Sequence, residues 1–365
     1  METEKKKKAT TTPLQDEKVV EMYLKFCDKT TRQMDGLTRY LEGRSFNLNK
    51  KAVKETDKYF KDNPFDGDLK RTQEILDFYK SLAKITDVKY SNRCLLSQNN
   101  INTLNINLNQ FDNISRQKIL NMFTDKDTVV ANYSLLNIRI LAYYCKDEAL
   151  YKLIKIYDDK TNGYDNFYSL LASYIFDKDY FECCERDTDS KYASSRILKQ
   201  RAKKAMMCEI YRCTDIESSI KKDIKLLEDK FPQLKMWIAS MKNYKKNYIQ
   251  DIFGNIKTLD KYSIQNLNKG FAIPNLITLT ETSMHKLFIS KLYEYIVDEQ
   301  FKINNNLNID IRLPLLHYFI LETQDKKLAV TLLNMIFCDL FYDYGFKLEF
   351  FTTYNKTKLD FEEIE

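Results

Sequence analysis

The chain has 365 residues, 44% of them hydrophobic, and 58 Lys and Arg against 52 Asp and Glu give a net charge of +6. That is enough apolar material to bury a sizeable core in one large or two ordinary domains, but no apolar run approaches the roughly 18 to 20 residues that a membrane span needs. Eight cysteines without a CxxC pair, and only two histidines, exclude a disulfide scaffold and a structural zinc site. The expectation is an intracellular, cytoplasmic protein with free thiols, no metal and no cofactor. Abundant Lys, Asn, Ile and Tyr beside 7 Gly and 5 Pro is the usage of an AT-rich genome, so base composition supplies part of the lysine excess.

In chain order, residues 1–14 read as a flexible basic tail, with Lys5 to Lys8 a mobile arm for phosphates. Residues 15–185 read as a helical N-terminal lobe. Within it "DLKRTQEILDFYKSLAKI" carries a stripe of Leu69, Ile75, Leu76, Tyr79 and Leu82, and "DTVVANYSLLNIRILAYYC" and "ALYKLIKIY" repeat the three-and-four spacing of a helix. The charge balance then shifts near 182–190, "ECCERDTDS". Residues 186–355 read as a helical C-terminal lobe. "DIESSIKKDIKLLEDKF", "PQLKMWIASMKNY" with Pro232 in its first turn, "SMHKLFISKLYEYIVDEQF" and "KKLAVTLLNMIFCDLFYDY" are its helices. Residues 356–365 form an acidic tail. Three segments alternate with period two, 104–109, 307–313 and 346–350, and two or three of them can pair as short strands. The predicted fold class is mainly α, helical and two-lobed, with a small minor β-sheet.

Enzyme motifs are scarce. The nearest two glycines, Gly36 and Gly43, have no GK[ST] after them, which rules out a P-loop and a dinucleotide fingerprint. The stretch from Asp158 to Ser169 resembles a calcium loop but puts Lys160 at a ligand position, so it reads as a turn between helices. His285 and His317 sit in apolar patterns and read as core histidines, and the acids of "LEDK" (227–230) as a solvated helix face.

One segment stands apart. Residues 186–269 hold 19 Lys and Arg against 10 Asp and Glu, a net charge of +9. On "SSRILKQRAKKAMMCEIYRC" a helical wheel puts Leu198, Ala202, Ala205 and Met206 on one face, Arg196, Lys199 and Lys203 on an adjoining edge, and Arg201 and Lys204 on the far side. Lys191 and Arg212 flank it. In "KNYKKNYIQ", Lys242, Lys245 and Lys246 interleave with Tyr244 and Tyr248, which would share a helix face and offer rings for stacking beside charges for phosphate. These twelve residues are the candidate nucleic-acid contacts. The function expected from them is a non-enzymatic, sequence-tolerant protein binding single-stranded RNA or another polyanion by its backbone in a basic groove. In size, helix content and charge such a chain resembles the two-lobed helical nucleoproteins of negative-strand RNA viruses, a likeness that implies homo-oligomerisation through terminal arms. The alternatives are a helical scaffold that binds other proteins in a complex, and an enzyme with an unrecognised carboxylate site.

Overall fold

The computed structural model describes residues 16–41, 45–47, 49–62, 87–89, 100–101, 106–107, 118, 121–124, 127–184, 193–213, 216–298, 308–314, 318–353 and 361–363. The fold is mainly α with a minor antiparallel sheet, as the sequence predicts. It divides into two compact units, each made of two stretches of chain: Met1–Phe26 with Leu135–Ser283, and Cys27–Ser134 with Met284–Glu365.

The second unit holds the strands β1 (Ser45–Asn47), β2 (Asp87–Lys89), β3 (Asn100–Ile101), β4 (Ile106–Asn107) and β5 (Thr128–Tyr133). Two more strands, β6 (Tyr248–Gln250) and β7 (Ile256–Thr258), make a hairpin in the first unit. The second unit then adds β8 (Ile309–Pro314), β9 (Tyr318–Thr323), β10 (Leu348–Thr353) and β11 (Phe361–Glu363). Its main sheet runs β11-β10-β5-β9-β8, antiparallel throughout, with Asn132 of β5 opposite Tyr318 on one side and Glu349 on the other. Tyr133 packs against the rings of Phe288, Phe319 and Phe337, so helix Lys326–Phe341 and the second part of helix Ala272–Val297 share a core with the sheet.

Two of the three alternating segments, 307–313 and 346–350, lie in this sheet as β8 and β10. The third pairs elsewhere, Ile106–Asn107 forming its own hairpin with Asn100–Ile101. The reading of 127–145 as one helix needs correction. Its first part is the central strand β5, and the helix begins at Leu136 after a left-handed Leu135 (φ 48). The helix expected at 68–85 and His317 lie outside the described residues.

The first unit is a stack of helices: Leu136–Cys145, Glu148–Asp158, Phe167–Phe176, Tyr180–Cys183, Ala193–Tyr211, Ser218–Lys230, Pro232–Lys242, Lys261–Gln265 and the first part of Ala272–Val297. Asp147 ties two of them together. It is fully buried; its Oδ1 accepts from the Leu150 amide (3.1 Å) at the start of one helix, and its Oδ2 accepts from the amides of Gln233 (3.0 Å) and Leu234 (3.1 Å) at the start of another. One carboxylate thus satisfies three backbone donors that two helix ends leave open. The stretch that mimics a calcium loop is a short turn capped by Asp159 and closed by left-handed Gly163 (φ 68), as its sequence predicts. Ile249, Leu259, Leu267, Ala272, Leu276 and Leu279 form a core against which Tyr144, Trp237, Met241 and Tyr244 pack.

Candidate functional site

The basic helix Ala193–Tyr211 seats itself by its small residues. Ala202, Ala205 and Met206 are wholly buried, which lets the backbone approach helices Phe167–Phe176 and Ser218–Lys230 closely. This is the apolar face expected from the sequence. Two of the cations expected on the surface are structural instead. Arg201 makes a two-pronged pair with Asp223 (Nε to Oδ2 2.9 Å, Nη2 to Oδ1 2.6 Å), and its guanidinium lies 4.9 Å from the centre of the Phe176 ring. Asp223 is fully buried, so Arg201 neutralises an internal charge. Arg212 donates from Nη1 to Glu209 Oε2 (2.8 Å) and from Nε to the Lys269 carbonyl (3.0 Å), in a left-handed conformation (φ 53) that ends the helix. Burial raises the Glu209 carboxyl, and the Arg212 charge opposes that rise. Lys204 makes an exposed 3.5 Å pair with Glu217.

Lys199 is half-buried and Lys203 exposed, Lys203 with its ammonium 5.2 Å from the centre of the Tyr168 ring. Continuing their spacing of four reaches Met207 and Tyr211, both partly or fully exposed. A search for charge alone misses both, although the same spacing points to them. Tyr211 takes a hydrogen bond from Asn137 Nδ2, on helix Leu136–Cys145. Burial, then the nearby carboxyl of Glu281, raise the Tyr211 hydroxyl pKa. Glu281 is itself buried, one of its oxygens has no hydrogen-bond partner, and burial pushes its carboxyl up to about 8.

The second cluster differs from its predicted form. The helix Pro232–Lys242 ends before it, so Tyr244 and Tyr248 share no helix face. Tyr248 is buried in β6, the Tyr244 hydroxyl donates a hydrogen bond to the Tyr248 carbonyl (2.5 Å), and Lys246 donates to the Tyr248 hydroxyl (3.1 Å). Lys242, Lys245 and Lys246 are exposed. Lys191 lies outside the described residues, and of Arg196 only the helical backbone is described. His285 is a buried core residue with Nδ1 3.1 Å from the Tyr133 hydroxyl.

Replacing Arg201 by Ala is expected to destabilise the fold by about 3 kcal/mol, at the low end for a buried pair because the guanidinium is partly exposed, since Asp223 would be left buried without its partner. Urea unfolding of Arg201→Ala beside Lys199→Ala checks this; equal stabilities would mean that the pair contributes nothing.

No family model matches the sequence, and no curated protein is similar to it. By fold the chain is similar to the POL domain of Pol1 from M. smegmatis, solved in complex with DNA primer-template and dNTP. The TM-score is 0.56 and the identity 12%, over 88% of this chain and 69% of that one. The likeness is one of fold, and it corrects the functional expectation. Size, helix content and charge suggested a non-enzymatic nucleoprotein for single-stranded RNA, but many helical folds share those properties. The topology instead follows a domain of a nucleic-acid enzyme.

Nucleotidyl transfer commonly runs on two divalent cations held by carboxylates. Among the described residues no group of three or more His, Cys, Asp or Glu is placed to hold a metal, so the described donor set does not fit such a centre. Nor is any helix among them long and apolar enough to cross a membrane.

Proposed function

We propose that the chain is a polymerase-fold nucleic-acid protein that acts inside the cell and holds a DNA primer-template with a nucleoside triphosphate, using the basic helix as one wall of the site. The observation that carries this reading is the stripe Lys199, Lys203, Met207 and Tyr211. Their spacing of four sets the ammonium groups of Lys199 and Lys203, the Met207 thioether and the Tyr211 ring along one ridge of the helix. Two ammonium groups one turn apart suit a polyphosphate, and a flat apolar end beyond them suits a base or sugar. Lys242, Lys245 and Lys246, exposed around the start of the β6-β7 hairpin, are proposed as salt-sensitive contacts to the duplex backbone.

The test is fluorescence anisotropy with a labelled primer-template whose primer ends in a dideoxynucleotide, so that binding is read without extension. The primer-template is expected to bind more tightly than single-stranded RNA of equal length, and the complementary dNTP with Mg²⁺ to tighten it further. Lys199→Glu with Lys203→Glu is expected to remove the dNTP effect. Lys242→Ala, Lys245→Ala and Lys246→Ala together are expected to lower the salt slope by about one for each phosphate that the variant no longer neutralises. A wild-type protein that binds neither duplex nor dNTP at low salt would end this reading.

A further inference from the structure

The basic helix ends in a way that brings two thiols together. Arg212 is left-handed, and the Cys213 amide donates back to the Cys208 carbonyl (3.3 Å), five residues earlier. This is the six-to-one bond of a Schellman cap, in which the residue after the left-handed one packs against the residue three before the cap. In most such caps that contact is between two apolar side chains. Here it is between Cys208 and Cys213, whose thiols are within hydrogen-bonding reach of one another. Cys208 is buried in the helix and Cys213 is exposed, so one sulfur is open to reagents and the other waits beneath it.

We propose that Cys208 and Cys213 are a thiol-modification site that takes low-molecular-weight disulfides such as oxidised glutathione and closes to an intramolecular disulfide. Closure would tighten the cap of the helix carrying Lys199, Lys203 and Tyr211, so the functional part of the proposal rests on the reading of that helix given above. The chemistry balances as two exchanges. The Cys213 thiolate attacks one sulfur of oxidised glutathione, forming a mixed disulfide and releasing one glutathione thiolate. Cys208 then loses its proton to solvent and attacks the Cys213 sulfur, forming the Cys208–Cys213 bond and releasing the second glutathione. The cysteine pair is oxidised, and one oxidised glutathione is reduced to two thiols.

Burial, together with the hydrogen bond to Cys213, pushes the Cys208 thiol up to about 12. Because the thiolate is the nucleophile, the second step is proton-limited and is expected to quicken about tenfold per pH unit between 7 and 9. The two sulfurs must come from hydrogen-bonding reach to bonding distance, and Cys208 is fixed in the helix, so Cys213 moves inward. Tyr211 and Arg212 lie between the two cysteines in the chain, so that movement bears on the Arg212 bond to the Lys269 carbonyl and on the contact between Tyr211 and Asn137.

The experiment treats the full chain with oxidised glutathione at pH 7.5 and 8.5. It maps thiols by alkylation and mass spectrometry, follows amide hydrogen exchange over residues 205–213, and repeats the primer-template anisotropy. Expected are a linked 208–213 peptide about 2 Da lighter, reversed by dithiothreitol, exchange at least tenfold slower at the cap, and dNTP-dependent binding at least fivefold weaker. Cys213→Ser should be indifferent to the oxidant, and Cys208→Ala should stop at glutathionylated Cys213. A wild-type protein that stays glutathionylated on Cys213, or one that forms the bond with no change in cap exchange, overturns the proposal. If the reduced protein binds no primer-template, the polymerase-type reading fails by itself, while peptide mapping and exchange still decide whether the thiol site exists.

Discussion

Asp147→Ala is expected to lower the unfolding free energy by about 3 kcal/mol. Ordinary helix caps serve one helix and cost about 1 kcal/mol when removed. Asp147 serves two, because its two oxygens accept from Leu150 on one side and from Gln233 and Leu234 on the other. Its burial means that no water can replace it, so three backbone donors lose their partner together. Asp147→Asn keeps one accepting oxygen and exchanges the other for a donor that faces amides, and should cost at least half as much. Urea denaturation of both variants beside wild type checks this. A drop of less than about 0.5 kcal/mol in Asp147→Ala would show that the two helix starts find other partners.

Glu281→Gln is expected to act in the opposite direction, and increasingly so as pH rises above about 4.5. Burial holds the folded-state pKa of Glu281 at about 8, against 4.5 for an ordinary glutamate. The folded chain therefore binds this proton more tightly than the unfolded chain. Below about pH 4.5 both states are protonated and the group costs nothing. As pH rises from there to about 8 the unfolded chain gains by ionising and the folded one does not, so stability falls; above 8 the penalty is constant. The substituted glutamine cannot ionise and should remove this slope, leaving the variant about 3 to 5 kcal/mol more stable than wild type at pH 9. Unfolding free energies of the two proteins at pH 5, 7 and 9 give the comparison. A constant difference across the series would place Glu281 in contact with water or with a cation.

The helices of this protein were legible because most are amphipathic: the spacing that marks 148–158, 218–230 and 232–242 is the spacing that buries Leu150, Leu153, Ile220, Leu227, Leu234 and Ile238. Strands β8 and β10 were legible for a similar reason, since Ile309, Ile311, Leu348 and Phe350 are buried while Asp310 and Glu349 are not. The centre of the sheet was hidden. Thr128, Val129, Val130 and Ala131 are buried in succession, and a strand covered on both faces shows no alternation to read. At the site, charge was legible and partnership was not. Arg201 and Lys203 are alike in the sequence, and what separates them is Asp223, twenty-two residues on, brought beneath Arg201 by the fold. The stripe from Lys199 to Tyr211 required only that the spacing of four be carried two steps further.

The order of strands in the main sheet bears on how the protein is made. Strand β5 is synthesised early, yet both of its neighbours, β9 and β10, come from beyond residue 317, and the stretch 135–283 of the other unit emerges between them. On the ribosome, Thr128–Tyr133 must therefore wait unpaired while the helical stretch is completed, so that stretch is the first able to assemble its core. The sheet closes last and through distant contacts, the slow kind. A chain stopped near residue 300 would expose an apolar strand with no partner, which makes truncated products the form of this protein most prone to aggregate.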